Sequence, residues 1–201
     1  MWDSRSPVSR VAIRHAEPGD YARVSPHLDA WWGGRPMRAM LPRLFFEHFR
    51  DTSFVAEADG ELVGFLCGFL SQTYPDQAYV HFVGVRPDQR GGGLGRELYE
   101  RLFAAARAAG RDVVRCVTSP RNEGSIAFHR RLGFEIEAEV ADYDGAGEAR
   151  VLLRKPLSEA PPARASGGSQ PYGAPGTPRA ASSTIGPPPS GASAATSSSG
   201  S

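Results

Sequence analysis

The sequence predicts an α/β domain, with a mixed, mostly antiparallel sheet of about seven strands flanked by about four helices. Three observations carry that expectation. Short apolar segments with the two-residue alternation of strands recur along residues 11–155, and stretches with helical spacing fall between them. One apolar run is divided by Asp59-Gly60, a strong signal for a tight hairpin. A glycine-rich loop, "RGGGLG", joins a strand pattern to a helix pattern.

Taken in order, "VAIRHA" reads as a strand closed by the turn Pro18-Gly19-Asp20. The segment from Tyr21 to Arg50 reads as helical pieces, broken at Gly33-Gly34 and by Pro36 and Pro42. "SFVAEADGELVGFLCGFL" is the hairpin, and "AYVHFVGV" is a further strand stopped at Pro87. The glycine loop then opens a helix from about Gly93 to Ala109, with Leu94, Leu98, Leu102, Ala105 and Ala109 expected on one face. "DVVRCVT" is a buried strand. "NEGSIAFHRRLG" is a short helix capped by Asn122 and stopped at Gly133. "FEIEAEV" and "ARVLLRK" close the domain as two strands about "YDGAGE".

Residues 1–10 read as a loose lead-in, and residues 156–201 as a disordered tail of Pro, Ser, Gly and Ala. The chain is 40% apolar with a net charge of +1, enough apolar surface for a core and no basic block for nucleic acid or an anionic membrane. No apolar run approaches the roughly 18–20 residues that span a bilayer. Two cysteines, Cys67 and Cys116, both within buried-strand patterns, exclude a disulfide framework and fit a cytoplasmic protein, monomeric or homodimeric. No histidine pair has metal-ligand spacing, so no metal is expected. Neither Cys116 nor Ser119 has a partner set for covalent catalysis.

The loop selects among phosphate-bearing ligands. An ATP loop needs a Gly-Lys-Ser/Thr ending that is absent here. A dinucleotide fingerprint begun at Gly91 and Gly93 reaches Arg96 where its third glycine belongs. What remains is Arg-x-x-Gly-x-Gly: Arg90, Gly93 and Gly95 after a strand ending in "VGVRP". "FVGVRPDQRGGGLGRELYERLF" resembles the acetyl-CoA signature of the GNAT superfamily of N-acetyltransferases, and "NEGSIAFHRRLGF" is similar to that superfamily's later motif. The resemblance covers essentially all of residues 11–155, including the order of elements.

The physical reading of the loop stands beside the resemblance. The first turn of a helix offers unpaired N–H groups and a positive dipole end to a diphosphate. Glycine at 91, 93 and 95 removes side chains from its path, and Arg90 and Arg96 can add charge-assisted contacts. The resemblance further implies a splayed central strand pair that holds the thioester, with the backbone around Val83, Gly84 and Val85 pairing with pantetheine amides. The cofactor-side set it implies continues through Gly92, Leu94, Asn122 and Ser125.

The implied reaction is acetyl transfer from acetyl-CoA to the primary amine of a small molecule or peptide, by direct attack in a ternary complex. Many members carry Glu on the strand before the loop, and this chain has none there. Strand alternation would put Tyr79, His81, Val83 and Val85 on one face, making His81 the candidate base and Tyr79 a lesser substrate contact. Members commonly place a Tyr acid where this chain has His129, so an imidazole would take the acid role. A packing role is the alternative for each histidine. Trp31, Trp32 and Arg35 are candidates for the acceptor wall. These departures keep a second reading open, a CoA-binding sensor on the same fold without catalysis.

Overall fold

The computed structural model describes residues 11–157. The expected lead-in and the tail beyond Leu157 lie outside the described residues. The seven strands are β1 (Ala12–His15), β2 (Phe54–Ala58), β3 (Glu61–Leu70), β4 (Gln77–Val85), β5 (Val113–Thr118), β6 (Glu135–Val140) and β7 (Arg150–Pro156). Three short helices, α1 (Asp20–Val24), α2 (Leu28–Trp31) and α3 (Leu44–Glu47), fall between β1 and β2. Two longer ones, α4 (Leu94–Ala108) and α5 (Glu123–Arg131), flank β5 in the chain.

The sheet order is β1-β2-β3-β4-β5-β7-β6, antiparallel throughout except for the parallel pair β4/β5. Local chemistry accounts for both kinds of connection. Asp59 and Gly60 both take positive φ, 52° and 80°, the twist that a two-residue hairpin needs between β2 and β3. A parallel pair needs a long crossover, and α4 supplies it between β4 and β5. Both faces of the sheet are covered. On one, Leu98, Tyr99, Leu102 and Phe103 of α4 pack with Leu66, Val80, Val114 and Leu153. On the other, Leu28, Trp31, Phe45 and Phe46 pack with Phe65, Cys67 and Phe82. The buried stripe of α4 differs from the expected one: it turns through Tyr99, Phe103 and Ala106, and Ala109 is exposed. A strict four-residue step drifts off a 3.6-residue helix, so the core face follows the three-residue steps as well.

Two irregularities of β4 position the site. Its pairing with β5 covers only Gln77 to Tyr79 against Val113 to Arg115, although β4 runs to Val85 and β5 to Thr118. The strands therefore part beyond Tyr79. Along β3, Cys67 faces Phe82 but Gly68 faces Val80, which leaves His81 as an extra bulged residue. The bulge overturns the expected common face of Tyr79, His81, Val83 and Val85. Val83 and Val85 pack on the α4 side. Tyr79 stacks on Phe69 and His81 on Phe45, both on the opposite side.

An ion cluster ties α1 to the β1 edge. The buried Asp20 accepts from Arg14 at 2.7 and 2.9 Å and from the Glu17 amide at 2.8 Å. Arg14 and Arg23 also reach Glu57 on β2. Burial pushes the Asp20 carboxyl up, but the bonds from Arg14 and Glu17 outweigh it and hold the group below its usual value. A group depressed in the folded state contributes stability above its unfolded pKa of about 4 and loses it as pH falls through the folded value. Asp20→Ala should cost about 1–3 kcal/mol at pH 7, and that gap from the wild type should narrow in urea titrations as pH falls below about 4.

Candidate functional site

Where β4 and β5 part, a cleft of about 820 Å³ opens. Its walls are the end of β4, the glycine loop with the first turn of α4, one side of α5, and the chain leaving α2. The strand edge is built by alternation. The Arg86 amide donates to Val63 O at 2.9 Å, so β4 spends every second residue on β3, and Val83 and Val85 turn their backbone groups to the parted side. Among the described residues, no acceptor engages the amides from Gly91 to Arg96, and those of Leu94, Gly95 and Arg96 open the α4 helix. A strand edge without a neighbouring strand thus meets the positive end of a 15-residue helix.

Within the fold the glycines of the loop answer to two different constraints, beside the space for phosphate expected of Gly91, Gly93 and Gly95. Gly91 and Gly93 have φ of 85° and 92°, a backbone state that a side chain resists, although a Cβ there would meet nothing within 4 Å. Gly95 has an ordinary backbone, but its Cβ would come within 3.1 Å of the Phe128 ring, so its absence lets α5 close on α4. Gly92 meets neither constraint and does not line the cleft. On the strand itself, a Cβ at Gly84 would lie 2.6 Å from both the Trp32 and Phe65 rings.

Arg90 lines the cleft, with two of its guanidinium donors spent on backbone carbonyls. Its Nε donates to Val85 O at 3.0 Å and its Nη2 to Trp31 O at 2.5 Å. Arg96 also lines the cleft, and no hydrogen bond joins its side chain to another described residue.

On α5, Asn122 caps the helix by accepting from the Ser125 amide at 3.2 Å, and both residues line the cleft. His129 lines it too but is buried, and both ring nitrogens are committed. A carbonyl can only accept, so Nδ1 carries the hydrogen and donates to Ser125 O at 2.7 Å. Nε2 then accepts from Tyr99 Oη at 2.6 Å. Burial lowers the pKa of His129 against that bond to Ser125, and the ring is neutral. In this tautomer it has no N–H to offer a thiolate, so the expected acid is a buried brace between α5 and α4. Tyr99 went unread from sequence. A Tyr on the buried stripe of a helix needs a partner for its hydroxyl, and that was the available signal.

His81 and Tyr79 stand outside the cleft lining, on the other face of β4. The His81 ring stacks on Phe45 at 4.6 Å between centroids, and its Nε2 donates to Met40 O at 2.9 Å, leaving Nδ1 with the lone pair. Desolvation by these neighbours lowers its pKa against the opposing bond to Met40. Trp31, Trp32 and Arg35 do line the cleft, with Arg35 Nε donating to Trp32 O at 3.3 Å. Both cysteines are buried, with thiols pushed up by desolvation, as inert core groups are. Among the described residues, no group of three His, Cys, Asp or Glu is placed to hold a metal, and no helix is long and apolar enough to cross a membrane.

Comparison with known proteins agrees with this geometry. The family model for the acetyltransferase (GNAT) family matches residues 18–134. An L-2,4-diaminobutyric acid acetyltransferase of Nocardia farcinica is 38% identical over 145 residues, covering 67% of this chain and 72% of that protein. Several other curated relatives align over half of their own length or less. A GNAT-family structure from Desulfovibrio desulfuricans superposes with a TM-score of 0.65 at 22% identity, covering 74% of this chain and 100% of the other. The diaminobutyrate acetyltransferase of Paenibacillus lautus, solved with its substrate and coenzyme A, gives 0.58 at 21% identity, covering 76% and 98%.

The glycine assignments are separable by denaturation. Gly91→Ala should destabilise the fold by about 1–2 kcal/mol, whereas Gly92→Ala should stay within about 0.5 kcal/mol of the parent. Tyr99→Phe, which orphans His129 Nε2, should cost about 1–3 kcal/mol in the same urea titration. Because His129 is depressed in the fold, its contribution is whole above pH ~6.5 and lost as pH falls through the folded value. His129→Gln should flatten that part of the stability profile.

Proposed function

Because the chain belongs to the acetyltransferase (GNAT) family, we propose that it transfers an acetyl group from acetyl-CoA to the primary amine of a small amino acid of the diaminobutyrate type, by direct attack in a ternary complex. The observation that carries this reading is the meeting, in one cleft, of the unengaged amides from Gly91 to Arg96 with the free edge of β4. Acetyl-CoA supplies an activated acyl thioester. The loop amides and Arg96 hold its diphosphate, with a helix dipole behind them. The backbone groups of Val83 and Val85 pair with its pantetheine amides as an added strand would. Asn122 keeps its amide N–H groups for the same ligand, since its oxygen serves the helix cap.

The acceptor reaches the thioester from the side of Trp31, Trp32 and Arg35. Arg35 retains guanidinium donors for a substrate carboxylate beyond the one spent on Trp32 O. His81 takes a proton from the acceptor's ammonium at Nδ1, the nitrogen left with a lone pair. The free amine then forms the C–N bond at the acetyl carbonyl as the C–S bond breaks, and coenzyme A leaves as its thiolate, to be protonated from water. The lowered pKa of His81 keeps it neutral and ready at pH 7. Tyr79, on the same face, contacts the acceptor. His129 holds α5 against α4 and gives up no proton.

Thiol release from acetyl-CoA over a panel of amines tests the reading, with L-2,4-diaminobutyric acid expected to be turned over. Binding of acetyl-CoA with no release for any amine would instead favour a non-catalytic CoA-binding module. His81→Ala should lower kcat by about 100-fold or more and leave the Kd for acetyl-CoA unchanged. In the wild type, kcat should rise with pH with an apparent pKa below about 6.5, the value of a free imidazole. A flat profile, or unaltered turnover in the variant, would remove His81 from the chemistry.

A further inference from the structure

The loop proposed to cradle the donor also carries a side chain that joins two walls of the cleft. Arg90 spans from the end of β4, at Val85 O, to the end of α2, at the O of Trp31, a residue 59 positions before Arg90 in the chain. Helix α2 has only four residues and cannot hold itself by backbone bonds alone. Its last carbonyls need outside partners, and Arg90 provides one with a charged donor. The next residue, Trp32, lies directly over β4, against the space left by the missing side chain of Gly84. Its ring centroid is 5.1 Å from that of Phe82. Beyond it the chain turns away through Gly33 and Gly34, with φ of 69° and 86°, and returns Arg35 Nε to Trp32 O. The wall of Trp31, Trp32 and Arg35 is therefore tied to the donor strand by one guanidinium and seated by one glycine.

We propose that Arg90 is a positioning residue for the acceptor wall and not a contact for the diphosphate. Two of its donors are consumed by carbonyls of opposite walls, and its planar fork fixes their separation. Arg96, six residues further along the chain from Arg90 and joined by hydrogen bond to no other described residue, carries the diphosphate charge. Loss of Arg90 frees the α2 carbonyl end and lets Trp31 and Trp32 drift from Gly84, while the loop amides keep their place through Gly91 and Gly93. The acceptor arm of the test rests on the function proposed above, and the other two arms do not.

Arg90→Ala and Arg96→Ala, made in a Trp2→Phe background so that Trp31 and Trp32 dominate emission, separate the two roles. Arg90→Ala should leave the Kd for acetyl-CoA, by calorimetry, within about threefold, raise acrylamide quenching of tryptophan at least about twofold, and raise KM for L-2,4-diaminobutyric acid about tenfold at nearly constant kcat. Arg96→Ala should do the reverse, weakening acetyl-CoA about tenfold with unchanged quenching. Arg90→Gln, which keeps the stem and one donor, gives a milder version of the first pattern and decides the matter if Arg90→Ala does not fold. Quenching equal to the parent's, or an acetyl-CoA Kd raised as far as in Arg96→Ala, overturns the proposal. If the parent itself ignores diaminobutyric acid, the acceptor assignment falls, and calorimetry and quenching still judge Arg90.

Discussion

The rest of the site depends on the interruption of hydrogen bonding between β4 and β5. A strand inside a sheet normally satisfies its backbone on both sides, because a buried unpaired amide costs as much as a lost hydrogen bond. Here β4 is paired on both sides only as far as Tyr79. Beyond that point one side of Val83 and Val85 faces a cleft. Part of the debt is met within the chain, since Val85 O accepts from Arg90. The remainder is an edge that favours a ligand with amides of its own. The bulge at His81 belongs to the same event: an added residue increases the local twist and turns the strand away from its neighbour.

That geometry gives each face of β4 its own task. Val83 and Val85 present side chains to the α4 core, while Tyr79 and His81 face the short helices. The two histidines, alike in sequence as candidates, are sorted by what satisfies them. His129 is closed between Ser125 O and Tyr99, with no open nitrogen. His81 spends one nitrogen on Met40 O and keeps the other. Burial lowers both pKa values, so the difference between them is one of hydrogen bonding and not of charge.

Much of the architecture was legible in the residues. The order of strands and helices followed from period changes, and the β2–β3 turn from Asp59-Gly60, because both are short-range effects. The loop's open amides were legible for the same reason: strand, glycines and helix start are contiguous, and a helix start has open amides wherever it occurs. The bulge that puts Tyr79 and Val83 on opposite faces was not legible. A bulge is chosen by the register of the partner strand, and nothing in "AYVHFVGV" alone marks it. Nor did the loop show that Gly95 serves Phe128, which is 33 residues away in the chain by number and adjacent only once α5 folds on α4.

The sequence by itself determined the elements, their order and the presence of a glycine-rich helix start with open amides, since each rests on chemistry within a few residues. Tertiary structure decided the use to which individual side chains are put. Arg90 reads as a phosphate ligand in the sequence, and in the fold two of its donors are spent on Trp31 O and Val85 O. His129 reads as an acid until Tyr99 and Ser125 are found to close it. A charged or titratable group is defined by its hydrogen-bond partners, and here the decisive partner, Trp31 O for Arg90 and Tyr99 for His129, comes from a distant part of the chain.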